Sequence, residues 1–89
     1  MITITRMEPI DKGLVFEYKC SSEYELVMTV KPLTTSMPLI QKKLDKSETK
    51  VTVNNLINNL DYFVSLTSVD NSGRIKEPSC TRLFTPYPN

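Results

Sequence analysis

The sequence of 89 residues contains no histidine, no tryptophan and no alanine, and it has only two cysteines and two glycines. Without histidine, the Ser-His and Cys-His pairs of nucleophilic enzymes and all His-based metal sites are excluded. Two cysteines cannot complete a four-cysteine zinc site, and two glycines cannot build a glycine-rich phosphate loop. Glu23 and Glu25 flank Tyr24 on a predicted strand, where such acids usually form a solvated surface. We therefore expect no enzymatic activity, no metal and no cofactor.

Long apolar segments and strong charge are also missing. No apolar run approaches the roughly 20 residues that a membrane helix needs. The segment Met1 to Arg6 lacks the basic region and apolar core of a signal peptide, so export of a parent protein would depend on a signal outside this chain. The net charge of +1 predicts no strong attraction to nucleic acid. The expected partners therefore include neither nucleic acid nor a membrane interior.

The most informative segment runs from Leu56 to Gly73. Within it, residues 62 to 69 alternate strictly, with Tyr62, Val64 and Leu66 on one face of a predicted strand. The following Asp-Asn-Ser-Gly residues, ending at Gly73, tolerate turn geometry. The segment is therefore predicted to form a turn, a strand and a tight turn.

Similar short runs separated by turn signals occur along the whole chain, which predicts an all-β fold. Seven strands are predicted, at Ile2–Arg6, Leu14–Lys19, Tyr24–Lys31, Leu39–Leu44, Lys50–Val53, Leu60–Val69 and about Cys80–Thr85. The first strand is expected to end before Pro9, and Tyr24 is expected to face the core. The predicted core consists of Phe16, Tyr18, Leu26, Met28, Val53, Leu56, Val64 and Leu66.

The order of Leu56, then Tyr62, Val64 and Leu66, then Gly73 closely resembles the sixth strand and flanking turns of a fibronectin type III domain. The resemblance implies a seven-stranded antiparallel immunoglobulin-like β-sandwich, with the first, second and fifth strands facing the other four. It implies one domain over residues 1–86, with 87–89 as a tail or the start of a linker. Pro78-Ser79 would lead into the last strand.

The resemblance also assigns roles to single residues. Tyr62 falls on the position of the family's corner tyrosine, whose hydroxyl bonds to backbone, here near Leu56 to Ile57. Tyr18 stands where the family usually has tryptophan. Asn58 and Asn59 replace the usual proline and glycine of the turn before the sixth strand, and asparagine tolerates left-handed backbone angles.

The function implied by the resemblance is that of a non-catalytic spacer or protein-binding module of a larger extracellular or cell-surface protein, monomeric as an isolated domain. The alternative is a structural module of an intracellular filament-type array or of a phage virion. Ligand contacts in the family often come from the loop after the sixth strand and from the four-stranded sheet. The candidate contacts here are Asn71, Arg74, Ile75 and Lys76. No Arg-Gly-Asp sequence occurs.

Two features allow alternative interpretations. Cys20 and Cys80 are predicted near the same end of the sandwich but in opposite sheets, so either a disulfide or, as we favour, two reduced thiols would fit. Four lysines could meet a polyanion, although a solvated protective face is the simpler interpretation. These lysines are Lys42, Lys43, Lys46 and Lys50.

Overall fold

The computed structural model describes residues 1–21, 23–35, 39–45, 47–77 and 79–88. Within these ranges every regular element is a β-strand: β1 (Ile2–Ile10), β2 (Gly13–Cys20), β3 (Glu25–Pro32), β4 (Ile40–Leu44), β5 (Lys50–Val53), β6 (Tyr62–Val69) and β7 (Cys80–Phe84). The strands form one sheet in the order β1-β2-β5 and one in the order β4-β3-β6-β7, with all pairs antiparallel. The predicted seven-stranded antiparallel sandwich is confirmed. Lys46, Pro78 and Asn89, which the predictions include, lie outside the described residues.

The chain starts at one end of the sandwich and leaves at the other. We call the first the top end, where Met1 lies beside Ser21 and Glu77. We call the other the bottom end, where the Asn59 amide donates to the Pro86 carbonyl over 2.7 Å. The longest dimension of the domain is 37 Å. Segments attached before and after this domain would therefore emerge from opposite ends.

The core lies between the two sheets, and strand alternation determines which side chains enter it. On β6, the even-numbered residues from Tyr62 to Ser68 are buried, while the odd-numbered ones face outward and are half-buried. On β3, Leu26, Met28 and Val30 are buried in the same way. All eight residues predicted for the core are buried, and the core also includes Ile2, Ile4, Leu14, Val30, Val51, Tyr62 and Phe84.

The prediction that Tyr24 faces the core is wrong. Its side chain is 36% exposed, and β3 begins one residue later, at Glu25. The first pair of the β3–β6 ladder is Glu25 with Val69. Alternation orients side chains only where a strand is held in such a ladder, so it does not apply to Tyr24. For the same reason, Glu23 and Glu25 do not share one strand face.

The prediction that the first strand ends before Pro9 is also wrong. β1 continues to Ile10, and Pro9 is paired in register with Leu14. Proline is tolerated here because β1 is an edge strand, where a nitrogen without hydrogen can face away from the sheet. The register shifts between Ile4 and Arg6, which marks a β-bulge.

Two tyrosine hydroxyls form hydrogen bonds to the backbone of loops that pack on the core. Tyr62 is fully buried, and its oxygen accepts a hydrogen bond from the Ile57 amide at 3.0 Å. Its ring stacks on Phe84 with the centroids 5.6 Å apart. The Tyr18 hydroxyl donates to the Asp45 carbonyl at 2.8 Å, and burial raises the pKa of this phenol. Leu56, which directly precedes Ile57, is buried as well.

The bottom end is closed by contacts between segments distant in sequence. The side-chain oxygen of Asn58 accepts a bond from the Lys12 amide at 2.7 Å, and the Leu56 amide donates to the Lys12 carbonyl at 2.9 Å. Asn59 has a φ of 67°, whereas Asn58 acts through its side chain. Pro86, the last residue of the predicted domain, is buried in this packing.

Gly13 is required by a close approach of backbone rather than by its own conformation. It is the first residue of β2 and is buried where β2 passes β5. A Cβ atom at this position would lie 2.0 Å from the Val53 carbonyl oxygen. Contacts this short between a Cβ atom and backbone do not occur, so any other residue would force the two strands apart.

Candidate functional site

The loop between β6 and β7 has a backbone fixed by its own hydrogen bonds. We call residues 70–77 the 70–77 loop. The Asp70 amide donates to the Arg74 carbonyl at 2.9 Å, and the Gly73 amide donates to the Asp70 carbonyl at 3.0 Å. Gly73 has a φ of 85°, a conformation that favours glycine. Ile75 bridges back to Val69, which continues the sheet into the loop.

The Asp70 carboxylate holds this loop from inside. Its Oδ1 atom accepts bonds from the Ser72 hydroxyl at 2.7 Å, the Ser72 amide at 2.9 Å and the Arg74 amide at 3.0 Å. The Ser72 hydroxyl and then the Arg74 amide lower the pKa of Asp70 to about 2, so the group is ionised at neutral pH. The sequence signal for this anchor was an aspartate followed two residues later by serine.

The four candidate contacts all lie on this loop and are exposed: Asn71, Arg74, Ile75 and Lys76. Lys76 differs from the others because its ammonium is used within the domain. It lies 3.5 Å from Asp70 Oδ2 and 5.8 Å from the centre of the Tyr24 ring. Ile75 is 66% exposed and is the most prominent apolar side chain of the loop. The outward-directed set is therefore Asn71, Arg74 and Ile75.

The four-stranded sheet carries a second candidate surface on its solvent side, which we call the outer face. Its residues come from the odd-numbered positions of β3, β4, β6 and β7. In the middle of the face, the hydroxyls of Ser65 and Thr81 are 2.8 Å apart, and those of Thr67 and Ser79 are 2.9 Å apart. Leu83, at the β7 edge, is 56% exposed.

Groups that could support chemistry are sparse in the described part of the chain. The Glu25 carboxylate forms an ion pair with the Lys43 ammonium, which lies 3.3 Å away. Cys20 and Cys80 are free thiols, each half-buried against the core. Within the described ranges, no group of three or more Cys, Asp or Glu side chains is placed to hold a metal ion. No helix capable of spanning a membrane occurs there either.

Comparisons with known proteins bear on the fold. No family model matches this sequence, and no curated protein matches it. One solved structure with a similar backbone is a computer-based redesign of a β-sandwich protein. The two chains share 18% identity with a TM-score of 0.74, and the match covers 99% of this chain and 92% of that chain. At this identity the likeness supports the β-sandwich architecture alone.

Proposed function

We propose that this chain is a fibronectin type III module without catalytic activity, which serves a larger extracellular or cell-surface protein as a protein-binding or spacer domain. The two-sheet strand order and the Tyr62 corner support the family assignment. A fold by itself does not specify a function, so the argument for binding depends on the 70–77 loop.

The observation that carries the binding role is the contrast between the inner and outer sides of the 70–77 loop. Inside, the Asp70 carboxylate accepts two hydrogen bonds from backbone amides and one from the Ser72 hydroxyl. Outside, Arg74 and Ile75 are exposed. A partner that contacts these side chains would not have to order the loop, and loop ordering is one of the main costs of association. Arginine and an apolar neighbour also suit the centre of a small protein interface.

The spacer role is supported by the positions of the chain ends. Met1 lies at the top end and Pro86 is packed into the bottom end. Neighbouring domains joined at these points would be separated along the 37 Å axis of the sandwich. The buried Pro86 would hold the exit direction of the chain, because proline restricts its own backbone angle.

One observation favours the alternative of an intracellular array or virion module. Cys20 and Cys80 are both free, and free thiols persist most readily in a reducing compartment. The same fold and the same loop would serve in either location, so the capture experiment below is repeated with intracellular proteins to test this alternative.

The experiment is an affinity capture with the immobilised domain and extracellular proteins of the parent organism, followed by identification of retained proteins. The test variant changes Arg74 and Ile75 to Ala. The matched control changes Lys19 and Thr52 to Ala, because both are exposed on the three-stranded sheet. We expect the wild type and the control to retain the same partner and the test variant to lose it. Equal retention by all three would exclude the loop contact, and no specific capture would leave only the spacer role.

A further inference from the structure

The two solvent faces of the sandwich differ in chemistry. The face of the three-stranded sheet is covered by charges, with Arg6 3.9 Å from Glu17 in a cross-strand pair. The charged residues of that face are Arg6, Glu8, Glu17, Lys19 and Lys50. The outer face of the four-stranded sheet instead carries hydroxyl and apolar side chains along the middle of its two central strands, with charges at Glu25 and Lys31 at the ends of β3 and at Lys43 on β4. A centre that is depleted of charge is a feature of protein interfaces.

The outer face has similar apolar residues at both ends but opposite charges. Its top row contains Glu25, Val69 and Ile75 across β3, β6 and the 70–77 loop. Its bottom row contains Lys31, Phe63 and Leu83 across β3, β6 and β7. Between them lie two rows that include Val27, Thr29, Ser65, Thr67 and Thr81. No described carboxylate lies within ion-pair distance of Lys31.

We infer that this outer face binds the same face of a second copy of the chain. The two-fold axis would lie in the interface, perpendicular to the strands, at the level of the paired residues Met28 and Leu66. This operation places the top row of one copy on the bottom row of the other. Glu25, whose carboxylate also pairs with Lys43 of its own copy at 3.3 Å, then meets Lys31 of the other copy, and this happens twice in the dimer.

The same operation also matches the apolar side chains. Phe63 of one copy lies over Val69 of the other, and Leu83 lies over Ile75. The alternative two-fold axis, parallel to the strands, sets each row on itself, so that the two Glu25 carboxylates share one row and the two Lys31 ammonium groups share the other. The antiparallel arrangement is selected because it brings an opposite charge to Lys31, whereas Glu25 already pairs with Lys43 in its own copy.

The middle of the face can be covered without leaving its hydroxyls unpaired. Ser65 with Thr81, and Thr67 with Ser79, already form hydrogen bonds within one copy. Burying a hydroxyl that keeps its partner avoids most of the cost of removing it from water. The polar centre thus does not oppose the contact between the apolar ends.

The size of the face limits the strength of this association. Four strands about 4.8 Å apart and seven residues about 3.4 Å apart give an area of about 450 Å² per copy. The total of about 900 Å² lies below the roughly 1,200 Å² of the smaller specific interfaces. The dimer is therefore weak and transient, and the chain is monomeric at micromolar concentration. The inference goes beyond the proposed binding through the 70–77 loop and does not depend on it.

The test is analytical ultracentrifugation from about 10 µM to about 2 mM, a range suited to weak association. Lys31→Glu and Glu25→Lys each place like charges at both symmetry-related pairs, and we expect each variant alone to dimerise at least about fivefold more weakly. Mixing the two variants restores opposite charges at both pairs and should restore association. Lys19→Glu, on the other sheet, is the matched control and should dimerise like the wild type.

Each outcome decides the question. A concentration-dependent dimer that the single reversals weaken and the mixture restores would support the inference. A wild type that stays monomeric throughout the range, or a dimer indifferent to both reversals, would overturn it. Amide resonances provide an independent measurement, since concentration-dependent shifts should map to β3 and β6, and shifts confined to β1 and β2 would also overturn it. Arg74 and Ile75 are unchanged in these variants, so this result is separate from that of the capture experiment.

Discussion

Replacing Tyr62 with phenylalanine removes one oxygen atom from the bottom end and leaves the ring in place. The ring is fully buried and stacks on Phe84, so the variant keeps its apolar packing. The lost contact is the 3.0 Å hydrogen bond from the Ile57 amide. Such a bond contributes about 0.5 to 1.5 kcal/mol, and a buried donor left unpaired costs about 1 to 3 kcal/mol. Because the Ile57 side chain is 66% exposed, water can reach this corner, and we expect a loss of about 1 to 2 kcal/mol.

Urea denaturation followed by circular dichroism measures this loss. With a slope of about 1 to 2 kcal/mol per molar urea, the midpoint should fall by about 0.5 to 2 M while the slope stays constant. Tyr87→Phe is the matched control, because it removes the same atom from a side chain that is 49% exposed, and it should change stability by less than about 0.5 kcal/mol. An unchanged midpoint for Tyr62→Phe would refute the assignment of a stabilising corner hydrogen bond.

Three further predictions concern packing, backbone and charge. Leu66→Ala should lower the free energy of unfolding by about 2 to 5 kcal/mol. Thr67→Ala, on the solvent side of the same strand, should lower it by less than about 0.5 kcal/mol. Similar losses for the two variants would mean that the register of the strand is wrong. Gly13→Ala should cost about 3 kcal/mol or more because of its backbone clash. Gly73→Ala should cost only about 1 to 2 kcal/mol, because its φ of 85° strains alanine but nothing lies within 4 Å of the Cβ position; the reverse order would contradict the structure. Because the pKa of Asp70 is lowered from 3.8 to about 2, the ionised carboxylate stabilises the 70–77 loop fully above pH 3.8, and this stabilisation is lost as the pH falls through about 2. The amide resonances of the loop should therefore titrate near pH 2. A midpoint near pH 4 would contradict the hydrogen bonds to Asp70.

Much of the fold could be predicted because strand alternation is a local property. The alternation around Leu66 was sufficient to define β6 and its buried face, since each side chain there is oriented by its own ladder pair. Tyr24 was misplaced because its neighbours continue the alternation while the ladder stops at Glu25. Pro9 was misplaced because its tolerance depends on having a strand on one side only, which is a property of the sheet.

The candidate site was predictable only in part, for a related reason. The position of Asn71, Arg74 and Ile75 on an exposed loop follows from the turn residues around them. The inward role of Lys76 depends on Tyr24 from another loop, and the requirement for Gly13 depends on a carbonyl forty residues further along the chain. The inferred pairing of Glu25 with Lys31 of a second copy depends on the register of β3 against β6. These contacts join residues that are distant in the chain or belong to different copies, so they cannot be predicted from neighbouring residues in the sequence.

The passage of the chain from the top end to the bottom end has a mechanical consequence. β1 starts at the top and β7 finishes at the bottom, so tension between the two ends acts along the axes of both edge strands. Hydrogen bonds in an antiparallel pair are perpendicular to the strands, and an axial pull therefore loads the bonds of each ladder together, in shear. Pulling from the turn between β1 and β2 would instead open one bond after another. The sandwich should consequently resist stretching along its length more strongly than it resists peeling from its side.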